Sequence, residues 1–260
     1  YLDEFEDVLN SLLHIRNADV YVTGSNSKFL SSDVITQFRG RGDEIHVFPL
    51  SFSEFTSAYG GSLDEAWDDY LVYGGLPLIL AMEAPEDKAE YLNSLFQKVY
   101  ISDIVERHNV RNKAELDELV DILASAVGSY TNHGKLERTF KSMKGKTISE
   151  KTIKNYIDYL IDSFLVSKAV RYDIKGKKYI GSLSKYYFED IGLRNARLGF
   201  RQIEPTHLME NIIYNELRVR GYHVDVGVVE YWEENPDGKR GKKQLEVDFV
   251  ATKGSEKYYI

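Results

Sequence analysis

Apolar residues recur at helical spacing over the first sixteen positions. Leu2, Phe5, Val8, Leu9, Leu12 and Leu13 fall on one stripe and predict a helix over 2–16. The short, largely β-branched run at 20–23 predicts a buried strand. Phe29, Leu30, Ile35 and Phe38 predict a helix over 27–38, and the alternation of Ile45 and Val47 with polar neighbours predicts a strand over 44–48. From Ser51 to about Asn112 the pattern is helical, punctuated by Gly60-Gly61 and by Gly74-Gly75-Leu76-Pro77. Pro85 opens a helix there that carries Tyr91, Leu92, Leu95, Val99 and Tyr100. Leu116, Leu119, Val120, Leu123 and Val127 share the next helix face, and a polar stretch follows. Ile153, Ile157, Leu160, Ile161 and Phe164 then mark a second helix. Its N-cap is Ser149, or Thr147 and Glu150 form a capping box. Residues 165–172 and 179–188 predict a hairpin with a turn at Lys175-Gly176-Lys177-Lys178. A helix over 207–220 ends at Gly221, as a terminal glycine would end it. Strands are predicted over 222–232, 245–251 and 257–260, with a turn at Asn235-Pro236-Asp237-Gly238.

These elements fall into four blocks and predict a multidomain α/β and α+β chain. Residues 1–50 read as the tail of an α/β unit and 51–112 as a helical lid or connector. Helices followed by a basic-tipped hairpin over 113–200 have the order of a winged helix–turn–helix. Residues 201–260 form a last α/β block. The net charge of −8 argues against uniform coating of nucleic acid but leaves room for a local basic patch. The chain has no cysteine, hence no disulfide frame and no cysteine zinc site, which fits a cytoplasmic location. No apolar run approaches the roughly 18 residues of a membrane span, and no signal peptide opens the chain. The start at Tyr1 reads as that of a fragment.

Three constellations carry candidate chemistry. Strand, polar turn Thr23-Gly24-Ser25-Asn26-Ser27, helix, Phe38-Arg39-Gly40-Arg41, strand and a corner at Pro49 are the order of the rear of a nucleotide-hydrolysing module. ATP hydrolysis needs a polar side chain at a strand end to orient water, for which Ser25 and Asn26 are candidates. It also needs a cation for the charge developing on the phosphoryl group, for which Arg39 and Arg41 are candidates. The plainer alternative is a turn, an N-cap and solvated arginines. No Gly-rich phosphate loop ending in Gly-Lys-Ser/Thr precedes this run in the sequence.

The second constellation is basic. Over 133–154, seven cations face two anions, His133 set aside. A winged helix would place Lys151, Thr152, Lys154 and Asn155 in a DNA groove and the wing tip Lys175, Lys177 and Lys178 on the backbone. The alternative is a solvated face used for protein contacts. The third is acidic. Strand period puts Glu246 and Asp248 on one face and Leu245, Val247 and Phe249 on the other, with Glu210 on the preceding helix. Helix Glu, hairpin and strand Asp is the order of a PD-(D/E)xK nuclease-like fold, in which Glu210, Glu246 and Asp248 would hold Mg²⁺. The assisting lysine would fall beyond Ile260. A degenerate fold used for recognition is the alternative. The six histidines have no ligand spacing.

The runs 21–32, 38–41 and 47–55 resemble a family of prokaryotic AAA-type ATPases with a C-terminal domain of uncharacterised function. Gly74-Gly75-Leu76-Pro77, Tyr100-Ile101-Ser102-Asp103, Glu210-Asn211 and Glu246-Val247-Asp248-Phe249 match as well, so the resemblance covers essentially the whole chain. It implies a sensor role for Ser25 and Asn26 and, less directly, a role for Arg39 and Arg41, reaching a neighbouring subunit of a homo-oligomer. It implies ATP and Mg²⁺ in a longer parent whose phosphate loop lies upstream, so that this chain alone binds neither tightly. The expected partner is double-stranded DNA or a protein. The rivals are a Mg²⁺-dependent nuclease and a non-catalytic DNA-binding or docking module.

Overall fold

The computed structural model describes residues 5–24, 43, 45–145, 147–234 and 240–260. After α1 (Phe5–Leu12), the helical region begins at α2 (Phe52–Ala58) and α3 (Leu63–Tyr73). Both start at a capping box. Ser51 accepts from the Glu54 amide while Glu54 accepts from Ser51, and Ser62 and Glu65 repeat the exchange. A 3-10 turn at Pro77–Ala81 leads to α4 (Pro85–Leu95), whose Pro85 sits in the first turn, where its missing N–H costs nothing. A π-helical stretch, Phe96–Ile101, joins it to α5 (Ser102–Arg107).

Three helices follow: α6 (Lys113–Ser125), α7 (His133–Lys144) and α8 (Glu150–Asp162). Ser149 caps α8, taking the Thr152 amide at 3.1 Å. Helix α7 stands where a polar stretch was expected. Its signals are Leu136 and Phe140 four apart and buried, Asn132 as N-cap, and Gly145 in the left-handed region at its end. The polar residues outnumber the apolar ones and hide that stripe.

Strands β1 (Val166–Asp173) and β2 (Lys178–Phe188) form the expected hairpin. After α9 (Ile191–Arg197) and α10 (Pro205–Val219) come β3 (His223–Glu234), β4 (Arg240–Lys253) and β5 (Glu256–Tyr259). The turn expected at 235–238 lies outside the described residues. The sheet order is β2-β1-β3-β4-β5, with β1 and β3 parallel and the other pairs antiparallel. The boundary expected at 200 therefore separates strands that share backbone hydrogen bonds.

The larger core gathers Leu71, Leu119, Phe140, Ile153, Ile157 and Phe188, and Leu208 and Ile212 of α10 join it. Tyr214 and Leu217 of the same helix cover the sheet through Ala169, Tyr187, Val226, Phe249 and Ala251. Helix α10 thus ties both cores together.

Gly74-Gly75-Leu76-Pro77 closes on the buried Asp190. The Gly75 amide donates to Asp190 Oδ2 at 2.8 Å and the Leu193 amide to Oδ1 at 3.0 Å. Gly74 has φ +76°, and a Cβ there would lie 2.4 Å from Asp190 Oδ1, so the position needs glycine twice over. Asn195 donates to the carbonyls of Leu71 and Val72 at 3.0 and 2.9 Å, satisfying the end of α3.

Two expected strands do not form among the described residues. Residues 20–23 and 45–48 have no regular secondary structure and no ladder bonds, and Tyr21 and Val47 are 85% and 86% exposed. A strand needs a neighbouring strand for its backbone groups, and no strand among the described residues pairs with these segments. The helix expected over 27–38 lies outside the described residues.

Candidate functional site

A charged cluster sits where β2, β4 and α10 meet. Lys185 of β2 is buried, and its Nζ lies 2.8 Å from Glu210 Oε1 of α10 and 2.5 Å from Glu246 Oε1 of β4. Glu210 Oε1 also accepts from the Tyr187 hydroxyl at 2.7 Å. The ring of Tyr130 is contacted by two cations, with Lys185 Nζ 5.3 Å and the Arg171 guanidinium 5.2 Å from its centroid. Burial alone would lower the Lys185 pKa. The hydrogen bonds and charges of Glu210 and Glu246 outweigh it and hold the ammonium above its ordinary value. Burial, then the charge of Glu210, raises Tyr187, and burial, then the charge of Glu246, raises Tyr130. Both tyrosines therefore stay neutral at physiological pH. Removing one partner from a fully buried pair typically costs ~3–5 kcal/mol, a range that concerns Lys185 with Glu210, whereas Glu246 is exposed and its share is screened by solvent.

The expected acidic set is only partly assembled. Glu210 and Glu246 meet through Lys185, but Asp248 is exposed and forms no ion pair with the described side chains. The reason is a bulge. Gly227 pairs with Val247 and Asp225 with Val250, so β4 carries one extra residue between those pairs. The two-residue period breaks there. Phe249 packs on Tyr214 of α10 while Glu246 turns to Lys185 and thence Glu210, so Glu246 and Phe249 share a face that strict alternation would have divided. Among the described residues no three acidic or histidine side chains converge to hold a metal. The donor set fits Mg²⁺ poorly, because an ammonium already bridges the two carboxylates. Lys185, Tyr187, Tyr130 and Arg171 were not singled out from sequence. The available signal was a lone lysine in the run Ser184–Phe188, whose residues are all buried.

Of the expected DNA-facing residues, Lys151, Lys154 and Asn155 of α8 are exposed, as are Lys175, Lys177 and Lys178. Thr152 is half-buried, and its Oγ1 lies 2.8 Å from Ser149 Oγ. Thr152 and Asn155 line an open cleft of about 460 Å³ whose other wall holds Asn109, Arg111 and Asn112. The base of the hairpin tip is tied to the sheet, while Lys175, Lys177 and Lys178 stay exposed. The Ile174 amide donates to the Val228 carbonyl of β3 at 2.9 Å, and the Gly176 amide donates to Asp173 Oδ1 at 2.8 Å. Burial, then the charge of Lys168, holds His133 below its ordinary pKa, which marks Lys168 as a further cation beside the start of α7.

Ser25, Asn26, Arg39 and Arg41 lie outside the described residues. The segment that follows them is firmly attached. The Leu50 amide donates to the Gly75 carbonyl at 2.8 Å, and the Tyr70 hydroxyl to the Leu50 carbonyl at 2.9 Å. The Phe52 amide donates to Glu216 Oε1 of α10 at 2.8 Å. Arg218, paired with Glu189 at 2.5 Å, lies over the Phe48 ring at 5.1 Å. The corner at Pro49 is therefore held by α3, the Gly74–Gly75 clasp and α10. No helix among the described residues is long and apolar enough to cross a membrane.

Two family models match the chain: Domain of unknown function (DUF8612) over residues 64–204 and AAA domain over residues 1–56. The second match supports an AAA-type ATPase family. An uncharacterised protein of Haemophilus influenzae is 34% identical over 265 residues, an alignment covering 100% of this chain and 62% of that protein. An uncharacterised protein of Methanocaldococcus jannaschii is 28% identical over 239 residues, covering 85% of this chain and 53% of that protein. The chain thus spans 62% and 53% of the lengths of these two curated relatives.

Proposed function

The chain belongs to the family described as Domain of unknown function (DUF8612), and from the AAA-domain match over residues 1–56 we propose that it is the rear part of an AAA-type ATPase. The longer protein couples ATP hydrolysis to movement of its helical and sheet body on a partner, double-stranded DNA. The observation that carries this is the attachment of the AAA-matched segment, 1–56, to the body. Its last residues hydrogen-bond to Gly75 and to Glu216 of α10, so a displacement at the corner is delivered to both cores. Ser25 and Asn26 orient the attacking water. Arg39 or Arg41 neutralises the developing charge, reaching a neighbouring copy in a homo-oligomer. ATP and Mg²⁺ bind the longer protein, with this chain supplying no tight site alone. DNA as partner is supported by three helices, α6–α8, followed by the β1–β2 hairpin. It is supported also by a bridge from Thr131 to Ser184 and by the exposed cations of α8.

The test is ATP turnover by the full-length protein with and without a mixed-sequence duplex. Turnover stimulated by the duplex is expected, and Ser25→Ala with Asn26→Ala should lower it by about 10²-fold, the scale of removing one polar group from a transition state. Absence of turnover under both conditions would refute the ATPase. Turnover indifferent to duplex would turn the partner into a protein. A second reading, a non-catalytic DNA-binding module, is favoured by the exposed lysines of α8. It is distinguished by salt-sensitive duplex binding in a full-length protein that lacks turnover. The Mg²⁺-dependent nuclease is disfavoured by the bridge that Lys185 makes between Glu210 and Glu246.

A further inference from the structure

We infer that the Lys185 ammonium permanently occupies the place a divalent cation would take between Glu210 and Glu246, so that this corner of the molecule is closed to metal. The inference stands apart from the ATPase reading, since no residue of 1–56 enters it. Lys185 Nζ is 2.8 Å from one carboxylate and 2.5 Å from the other, distances of charge-assisted hydrogen bonds rather than of loose association. The lysine is buried, and its stem leaves the middle of β2, flanked by Ser184 and Tyr186, both also buried.

A Mg²⁺ ion needs six oxygens at about 2.0–2.1 Å in near-octahedral array. Here Glu210 Oε1 is shared between Lys185 and the Tyr187 hydroxyl, and Asp248 is carried out of the set by the β4 bulge. A dication entering beside the ammonium would also meet the field of Arg171, which shares the Tyr130 ring with Lys185. The cluster joins β2, β4 and α10, elements contributed from both sides of position 200. Its chemistry is that of an internal tie with a fixed positive centre, which needs no ion from solution.

Mn²⁺ binding followed by electron paramagnetic resonance of this chain tests it. The wild-type chain is expected to leave submillimolar Mn²⁺ free, and Glu246→Gln is expected to change nothing. Lys185→Ala, shown folded by circular dichroism, is expected to gain Mn²⁺ affinity of at least about tenfold. That gain should vanish when Glu246→Gln is added. Uptake of Mn²⁺ by the wild-type chain that Glu246→Gln abolishes would overturn the inference. So would a folded Lys185→Ala chain with no gain. If Lys185→Ala fails to fold, the wild-type and Glu246→Gln comparison decides alone.

Discussion

Asp190 is the residue on which the clasp depends, and its charge is costly where it sits. It is buried, and burial pushes its pKa up to about 6 although the amides of Gly75, Leu193 and Gly192 pull the other way. A carboxyl whose folded pKa is raised contributes stability that is full below its unfolded pKa and is lost as pH rises through the folded one. The window here runs from about pH 4 to about pH 6. The unfolding free energy of the wild type minus that of Asp190→Asn should therefore fall by about 2–3 kcal/mol across it. Denaturant titrations at pH 4 and pH 7 measure that difference. A flat difference would mean that the amides compensate the burial fully. The glycines facing Asp190 were legible as punctuation but not as a clasp. Gly74 announces a break in a helix, whereas the carboxylate it wraps is more than a hundred positions away and no local spacing points to it.

At the scale of elements, α8 is the segment whose sequence and structure agree most closely. Its stripe of Ile153, Ile157 and Leu160, its Ser149 cap and its exposed Lys151 and Lys154 were present in the spacing, while Phe164, expected on the same stripe, lies past the helix end with φ +54°. If α8 contacts duplex DNA, each lysine neutralises a phosphate and releases a counterion. Lys151→Ala with Lys154→Ala should then weaken binding about equally across sequences. It should reduce the slope of log affinity against log salt by about two. Anisotropy titrations at several salt concentrations read both quantities. An unchanged slope would put these lysines outside the interface. Helix α7 and the β4 bulge were not legible, for different reasons. In α7 the stripe is thin, because Leu136 and Phe140 alone are firmly buried among its described side chains. In β4 the alternation 245–249 is regular as written. The extra residue appears only when Asp225 and Gly227 are set opposite.

The whole molecule turns on α10, which belongs to both cores and also receives the Phe52 amide through Glu216. Glu216→Ala in the full-length protein should leave basal ATP turnover near the wild-type rate while reducing its stimulation by the partner several-fold. A side-chain hydrogen bond to a backbone amide contributes about 1–3 kcal/mol, enough to loosen the corner without unfolding the body. Turnover measured with and without partner separates the two effects. Equal loss in both would show a structural role only. The fold class was legible in outline, since helical and strand periods alternate in blocks. The joining of blocks was not. The strands predicted over 20–23 and 44–48 depend on neighbours for their existence, and periodicity carries no information about neighbours. The sharing of one sheet by 166–188 and 223–259 has the same origin.

That shared sheet also fixes an order of events during synthesis. Arg171, Tyr172 and Asp173 pair with Val226, Gly227 and Val228, more than fifty positions later in the chain. Until those later residues leave the ribosome, the inner edge of β1 exposes unpaired amides and carbonyls at a place where other strands can dock. A chain stopped at 200 would keep that edge open for want of Val226, Gly227 and Val228.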